Sequence, residues 1–131
     1  MAKYSTYFID IDGTIFQYRP FDTYTKTSPQ LTPGAKEKLV EIKEAGHKII
    51  LTTARPVDLR GHTEFELNEF DLVYDGIIMG IERGPRHLVN DLDPLAAGDR
   101  AISWNLTRDT GISTVQVDQV VVDEDHDEQT E

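Results

Sequence analysis

The residues with the clearest chemical potential are Asp10 and Asp12, set one residue apart in the run Phe8-Ile9-Asp10-Ile11-Asp12-Gly13-Thr14. Tyr4 to Ile9 is rich in aromatic and β-branched residues and lacks glycine and proline, which is the composition of a strand. Gly13 ends that strand, since glycine accepts backbone angles that other residues avoid. Residues two apart on a regular strand share a face, so the two carboxylates converge at its carboxyl end. Like charges that close need a compensator. Mg²⁺ suits the task, because it takes one or two carboxylates, keeps several waters and bridges to phosphate oxygens. A plain turn with two solvated acids fits the same pair, so the rest of the chain must decide.

The elements that would position these acids follow in order. Residues 15 to 31 mix aromatics with turn formers and read as a loop or small hairpin, in which Phe16, Tyr18 and Phe21 either touch substrate or pack the hairpin down. Thr32-Pro33-Gly34 predicts a helix with Thr32 as N-cap, an inward stripe of Ala35, Leu39, Ile42 and Val40, and Gly46 at its end. Lys48 to Thr53 is a continuous apolar strand, as expected of a parallel strand covered on both faces. Strand, helix and strand make a βαβ unit. Thr53-Ala54-Arg55-Pro56 then opens a helix over roughly 57 to 70, whose first amides could face an anion. Further strands are expected at 76–79, 87–90 and 101–106. The segment 114–122 offers an edge strand or a self-association surface.

Composition sets outer limits. The chain has 131 residues, one domain by length, and no cysteine, so disulfides and thiolate metal sites are excluded and a reducing, cytoplasmic setting is expected. No apolar run approaches the roughly 20 residues of a membrane span. The net charge is −11, which argues against a duplex nucleic-acid surface. Six of the 24 acidic residues fall in the last nine positions, leaving 18 acids against 13 bases elsewhere. Residues 1–122 are therefore expected to form one domain and 123–131 a solvated acidic tail without fixed structure. His47, His62, His87 and His126 show no ligand spacing.

Asp10-Ile11-Asp12-Gly13-Thr14 resembles the DxDGT signature of the haloacid dehalogenase superfamily, whose members are mostly Mg²⁺-dependent phosphoryl-transfer enzymes. Thr53 followed by Arg55 resembles its second motif, with Thr52 as the alternative hydroxyl. The third motif is a lysine or, less often, an arginine. No lysine follows Lys48 here, so Arg83 or Arg86 would take that place. For the fourth motif, Asn90 stands where many relatives carry an aspartate, leaving Asp91 as metal ligand with Asp93 as alternative. The resemblance spans roughly residues 4 to 106.

It implies a Rossmann-like α/β core, a parallel β-sheet flanked by helices. No cap domain is expected, because the 17 residues of 15–31 and the stretch after Thr53 are too short for one. It also implies phosphomonoester hydrolysis through an aspartyl-phosphate, with Asp10 as nucleophile and Asp12 as general acid and base. Mg²⁺ would be held by the Asp10 carboxylate, the Asp12 carbonyl and Asp91, with Thr53 and Arg83 on the phosphoryl oxygens and Arg55 reaching the substrate. The expected partner is a small-molecule phosphate ester such as a sugar phosphate, with no duplex nucleic acid, no membrane and room for a homo-oligomer. Two rivals remain: a non-catalytic module that binds a phosphorylated ligand or partner, and a polynucleotide 3′-phosphatase, against which the acidic balance weighs.

Overall fold

The computed structural model describes residues 2–95 and 98–122; the acidic segment 123–131, with His126, lies outside the described residues. Its elements are β1 (Ala2–Lys3), β2 (Thr6–Asp10), α1 (Ala35–Glu44), β3 (Lys48–Thr52), α2 (Arg60–Glu69), β4 (Gly76–Ile78) and β5 (Val121–Val122). β2, β3 and β4 form a parallel sheet in that order. Asp10 pairs with Thr52 and Thr52 with Ile78, so the three strands end level at one carboxyl edge. Ligands of open α/β sheets bind at this edge. The two parallel connections run through α1 and α2, and no cap domain is found among the described residues.

A single core holds the sheet and both helices. Ile9, Ile49, Leu51 and Ile77 from the strands meet Ala35, Leu39 and Ile42 of α1 and Leu67 of α2. Each buried Leu or Ile contributes about 1.5–3 kcal/mol relative to exposure. The strands are covered less evenly than their apolar runs suggest. Ile49 and Leu51 are fully buried whereas Phe8 is 53% exposed, because β2 is an edge strand of the sheet.

α1 begins later than the sequence suggests. Gly34, in the left-handed region at φ 72°, precedes Ala35, and Thr32 makes no cap. The Thr32 hydroxyl instead donates to the carbonyl of Thr14 at 2.6 Å, tying the helix entry to the turn after β2. The exit is as expected. Gly46 at φ 95° lets its own N–H reach Lys43 O at 2.9 Å and the His47 N–H reach Ile42 O at 3.3 Å, which closes a Schellman motif.

Two expected strands are absent. Residues 87–90 and 101–106 have no strand pairing, and Val89 is 91% exposed. Strand-forming side chains need a partner edge and a face to bury, and this Pro- and Gly-interrupted stretch finds neither. Of the segment 114–122, only Val121–Val122 is a strand, paired antiparallel with β1. The residues before it are laced to the domain. Val115 is buried and its carbonyl accepts from Lys38 Nζ at 2.6 Å. The Tyr7 hydroxyl donates to Gln116 O and accepts from Asp118 N–H. Buried His47 accepts the Ser5 N–H on Nδ1, so its ring proton sits on Nε2 and faces Asp118 O at 2.8 Å. No helix among the described residues is long and apolar enough to cross a membrane.

Asp75, just before β4, accepts from Lys43 Nζ at 2.9 Å and from the Ile49 N–H at 2.7 Å, and these bonds hold its carboxyl below the ordinary value. A depressed folded-state pKa stabilises the fold above the unfolded value, near 3.9, and the contribution fades as pH falls through the lower folded value. Asp75→Ala should therefore cost about 1 kcal/mol at pH 7. In urea titrations across pH 7 to 3, the gap between variant and parent should shrink toward the acid end; a gap independent of pH would refute this account.

Candidate active site

The turn after β2 is built by one carbonyl. Ile11 O accepts the N–H groups of Ile15 at 2.9 Å and Phe16 at 3.0 Å, and Gly13, at φ 87°, donates to Phe16 O at 2.7 Å. The chain is thereby folded tightly over the strand end, with Ile11, Ile15 and Phe16 fully buried beneath it. Asp10 and Asp12 are left facing one cavity at the carboxyl edge.

Asp12 is gripped by Arg55. Nε donates to Oδ2 at 2.9 Å and one terminal nitrogen to Oδ1 at 2.8 Å, a bidentate pair. The other terminal nitrogen reaches Glu66 at 2.7 Å and the Thr63 hydroxyl at 3.1 Å, both on α2. The Arg55 side chain is wholly buried, and its guanidinium lies 4.2 Å from the Tyr24 ring centre. Burial alone would lower the Arg55 pKa, but bonding to Asp12 and Glu66 raises it. Glu66 also takes Arg19 at 2.9 Å. Although burial opposes it, bonding to the two arginines holds the Glu66 carboxyl below its ordinary range. His62 Nε2 comes within 3.2 Å of the second Glu66 oxygen but not in hydrogen-bonding geometry; it faces Tyr24 O at 2.9 Å instead.

The cavity has a volume of about 210 Å³. Thr53 is buried on its wall, and its hydroxyl accepts the Arg55 N–H at 3.0 Å, leaving the hydroxyl proton for another acceptor. Thr52, the alternative, is the last residue of β3 and does not line the cavity. Arg83, Arg86 and Arg108 complete the charged wall, with Tyr18 and Tyr24 as its aromatic part. Arg86 approaches Asp10 to 3.6 Å. Burial raises the Asp10 pKa, Arg86 opposes the rise and Asp12 adds to it.

Of the residues singled out from sequence, Asp10, Asp12, Thr53, Arg55, Arg83 and the alternative Arg86 share this cavity. Asp91 does not. It lies in a separate pocket, exposed, and pairs with Arg100 at 2.7 Å. The strand expected to carry it is missing, so nothing delivers it to the sheet edge. Asp93 caps a local turn by accepting the Leu95 N–H. Phe16 is core, packed 5.8 Å from the Phe70 ring, whereas Tyr18 faces the cavity; the Phe21 side chain lies outside the described part. Arg19, Glu66 and Arg108 were not singled out. An acid at position 66 on the inward stripe of α2, beside Thr63 and Leu67, was the readable signal for one of them.

Among the described residues no group of three His, Cys, Asp or Glu side chains could hold a metal. Asp10 and Asp12 line the cavity, and among the described residues no backbone N–H donates to the Asp12 carbonyl. One carboxylate and one carbonyl, with substrate phosphate and waters, fit the donor set of Mg²⁺.

The site is thus a pair of aspartates at the carboxyl edge of a parallel α/β sheet. Residues 7–131 match the haloacid dehalogenase-like hydrolases, and the chain belongs to that family. No curated protein matches it. Two solved structures are similar: a Pnkp1/Rnl/Hen1 complex, at 26% identity and TM-score 0.53 over 63% of this chain and 30% of that one, and the Pnkp1/Rnl/Hen1 RNA repair complex, at 26% identity and TM-score 0.52 over 63% of this chain and 27% of that one. This chain thus spans less than a third of the solved chains it resembles. These neighbours overturn the partner expectation of a small-molecule phosphate ester without duplex nucleic acid, since they point to nucleic-acid-related partners. The exclusion of duplex nucleic acid rested on net charge, which is a whole-chain sum and does not describe a cavity walled by four arginines and two aspartates.

Glu66→Leu leaves Arg19 and Arg55 buried without their shared partner, and should cost about 3–5 kcal/mol. Glu66→Gln keeps an acceptor and should cost less. Urea unfolding of both variants measures the order; equal, sub-kilocalorie losses would contradict the network as described.

Proposed function

We propose that the chain is a phosphomonoester hydrolase acting on the terminal phosphate of a nucleic-acid strand through an aspartyl-phosphate on Asp10. The observation that carries this reading is the cavity itself: an accessible carboxylate at the sheet edge, a buried threonine hydroxyl beside it, and guanidinium groups on the other walls. The similarity to chains of an RNA repair complex supports the choice of a polynucleotide end over a metabolite.

In the first step an Asp10 oxygen attacks phosphorus, forming the O–P bond as the bond to the leaving oxygen breaks, and Asp12, having turned one oxygen from Arg55 to carry a proton taken up from solvent, gives the leaving oxygen that proton. In the second, water attacks the same phosphorus, Asp12 takes its proton, and the Asp10–phosphorus bond breaks to release inorganic phosphate. Thr53 donates to a phosphoryl oxygen, while Arg83 and Arg86 offset its charge. Arg55 has four of its five N–H donors committed to Asp12, Glu66 and Thr63, so its part is to orient Asp12. Mg²⁺, held by Asp10 and the Asp12 carbonyl, would neutralise charge on the transferring group.

A binding module without turnover is the second reading, favoured by the pairing of Asp91 with Arg100 away from the cavity. One assay separates them. Oligonucleotides with a 3′- or a 5′-phosphate and a generic aryl phosphate are incubated with the protein, with and without chelator, and inorganic phosphate is measured. We expect release from one oligonucleotide end, at least about a thousandfold reduced in Asp10→Asn. A folded protein that releases no phosphate, or an Asp10→Asn variant as active as the parent, would sink the hydrolase reading.

A further inference from the structure

Arg108 comes from a segment to which nothing in the sequence pointed, yet it is among the best positioned cations of the cavity. Its guanidinium carbon lies 3.8 Å from the centre of the Tyr18 ring. Among the described residues it has no ion pair and no hydrogen bond, so all five N–H donors are unspent. The residues that follow it fix the segment in place. The Asp109 N–H donates to Gly13 O at 2.8 Å, and the Asp109 carboxylate accepts the Tyr18 N–H at 2.7 Å. Asp109 itself sits at φ 67°, an unusual conformation for a residue with a side chain. Two residues on, Gly111 at φ 92° passes so close to Pro33 that a Cβ there would lie 2.1 Å from its carbonyl oxygen, and Ile112 is buried in the core. The segment is thus pinned to the nucleophile turn, to the loop bearing Tyr18 and to the entry of α1.

An exposed guanidinium held over an aromatic ring, with its donors unspent, is an anion site prepared in advance. In the proposed mechanism the scissile phosphate is served by Thr53, Arg83 and Arg86, which leaves Arg108 for another anion. At about 210 Å³ the cavity is also smaller than pockets that enclose a whole drug-sized ligand, a size that suits the phosphorylated end of a longer molecule. Arg108 lies against the Gly13 turn, where an added Cβ would meet its side chain at 3.2 Å, and it lines the same cavity as Asp10 and Asp12.

Resting on the nucleic-acid reading above, we infer that Arg108, stacked on Tyr18, is a second-phosphate subsite: it binds the phosphodiester adjacent to the terminal phosphate, and so selects oligonucleotides over mononucleotides. Tyr18 holds the guanidinium in place and gives the neighbouring base an aromatic edge, the combination that single-strand binders use.

The test compares kcat/KM on a mononucleotide phosphate, a dinucleotide with the same terminal phosphate, and that dinucleotide with an uncharged methylphosphonate linkage. The parent should prefer the charged dinucleotide over both others by about tenfold or more, through KM. In Arg108→Ala the dinucleotide-to-mononucleotide ratio should fall by about tenfold. Arg108→Lys should restore part of it, because a point charge replaces a planar fork, and Tyr18→Leu should lower it through loss of the stack. Circular dichroism checks that each variant folds. A ratio unchanged in Arg108→Ala, or a parent indifferent to the methylphosphonate, overturns the subsite while leaving the hydrolase reading intact. Failure of the parent to release phosphate from any of the three, with aryl phosphate hydrolysed, overturns both the subsite and the nucleic-acid reading.

Discussion

The site depends on the buried guanidinium of Arg55. Arg55 is enclosed on all sides and would be untenable alone, since an uncompensated buried charge costs several kcal/mol. It is tolerated because Asp12 and Glu66 flank it, and because Glu66 shares the same oxygen with Arg19. These four charges come from the turn after β2, the loop after it, the residues following β3, and α2. The cluster therefore fastens together segments that the hydrophobic core only brings near one another. Its direct product is the orientation of Asp12, whose two oxygens both lie on Arg55. Tyr24 adds a flat apolar surface to the same guanidinium, with Arg19 also near its ring at 5.3 Å.

The acidic composition and the cationic cavity are compatible because charge acts locally. At ordinary ionic strength a surface charge is screened within about 8–10 Å. Carboxylates elsewhere on the domain thus weigh little on a ligand inside the cavity. There, four arginines face two aspartates, and one aspartate is already matched by Arg55. The excess negative charge of the whole chain discourages indiscriminate adhesion to polyanions. Under the proposed function it leaves a defined phosphate-bearing end free to enter.

What could be read from the sequence was what local chemistry dictates. Three strands, two helices, the glycine stop of α1 and the convergence of Asp10, Asp12 and Thr53 on one edge follow from apolar runs, caps and the βαβ rule. What could not be read depends on distant partners. Residues 87–90 have strand composition, but composition does not supply an edge to pair with, and with the strand goes the placement of Asp91. Arg108 reaches the cavity through a left-handed Asp109 and the close passage of Gly111 against Pro33, which leave no periodic trace. Glu66 lay in plain view as an acid on an apolar stripe, and its meaning depended on two arginines from elsewhere in the chain.

The cations of the cavity differ in how firmly they are held, and the difference suits phosphoryl transfer. Arg55 is immobilised by four hydrogen bonds, and Arg108 is stacked. Arg86, on an exposed loop, stands 3.6 Å from Asp10, too far for a hydrogen bond. Under the proposed chemistry Asp10 surrenders its negative charge on becoming an ester, and that charge appears on the phosphoryl oxygens instead. A cation loosely associated with the carboxylate can follow the charge onto the phosphoryl group, so its attraction strengthens as the reaction proceeds. A tight Arg86–Asp10 pair would have stabilised the resting enzyme at the expense of the transition state, since only interactions that gain strength along the reaction speed it.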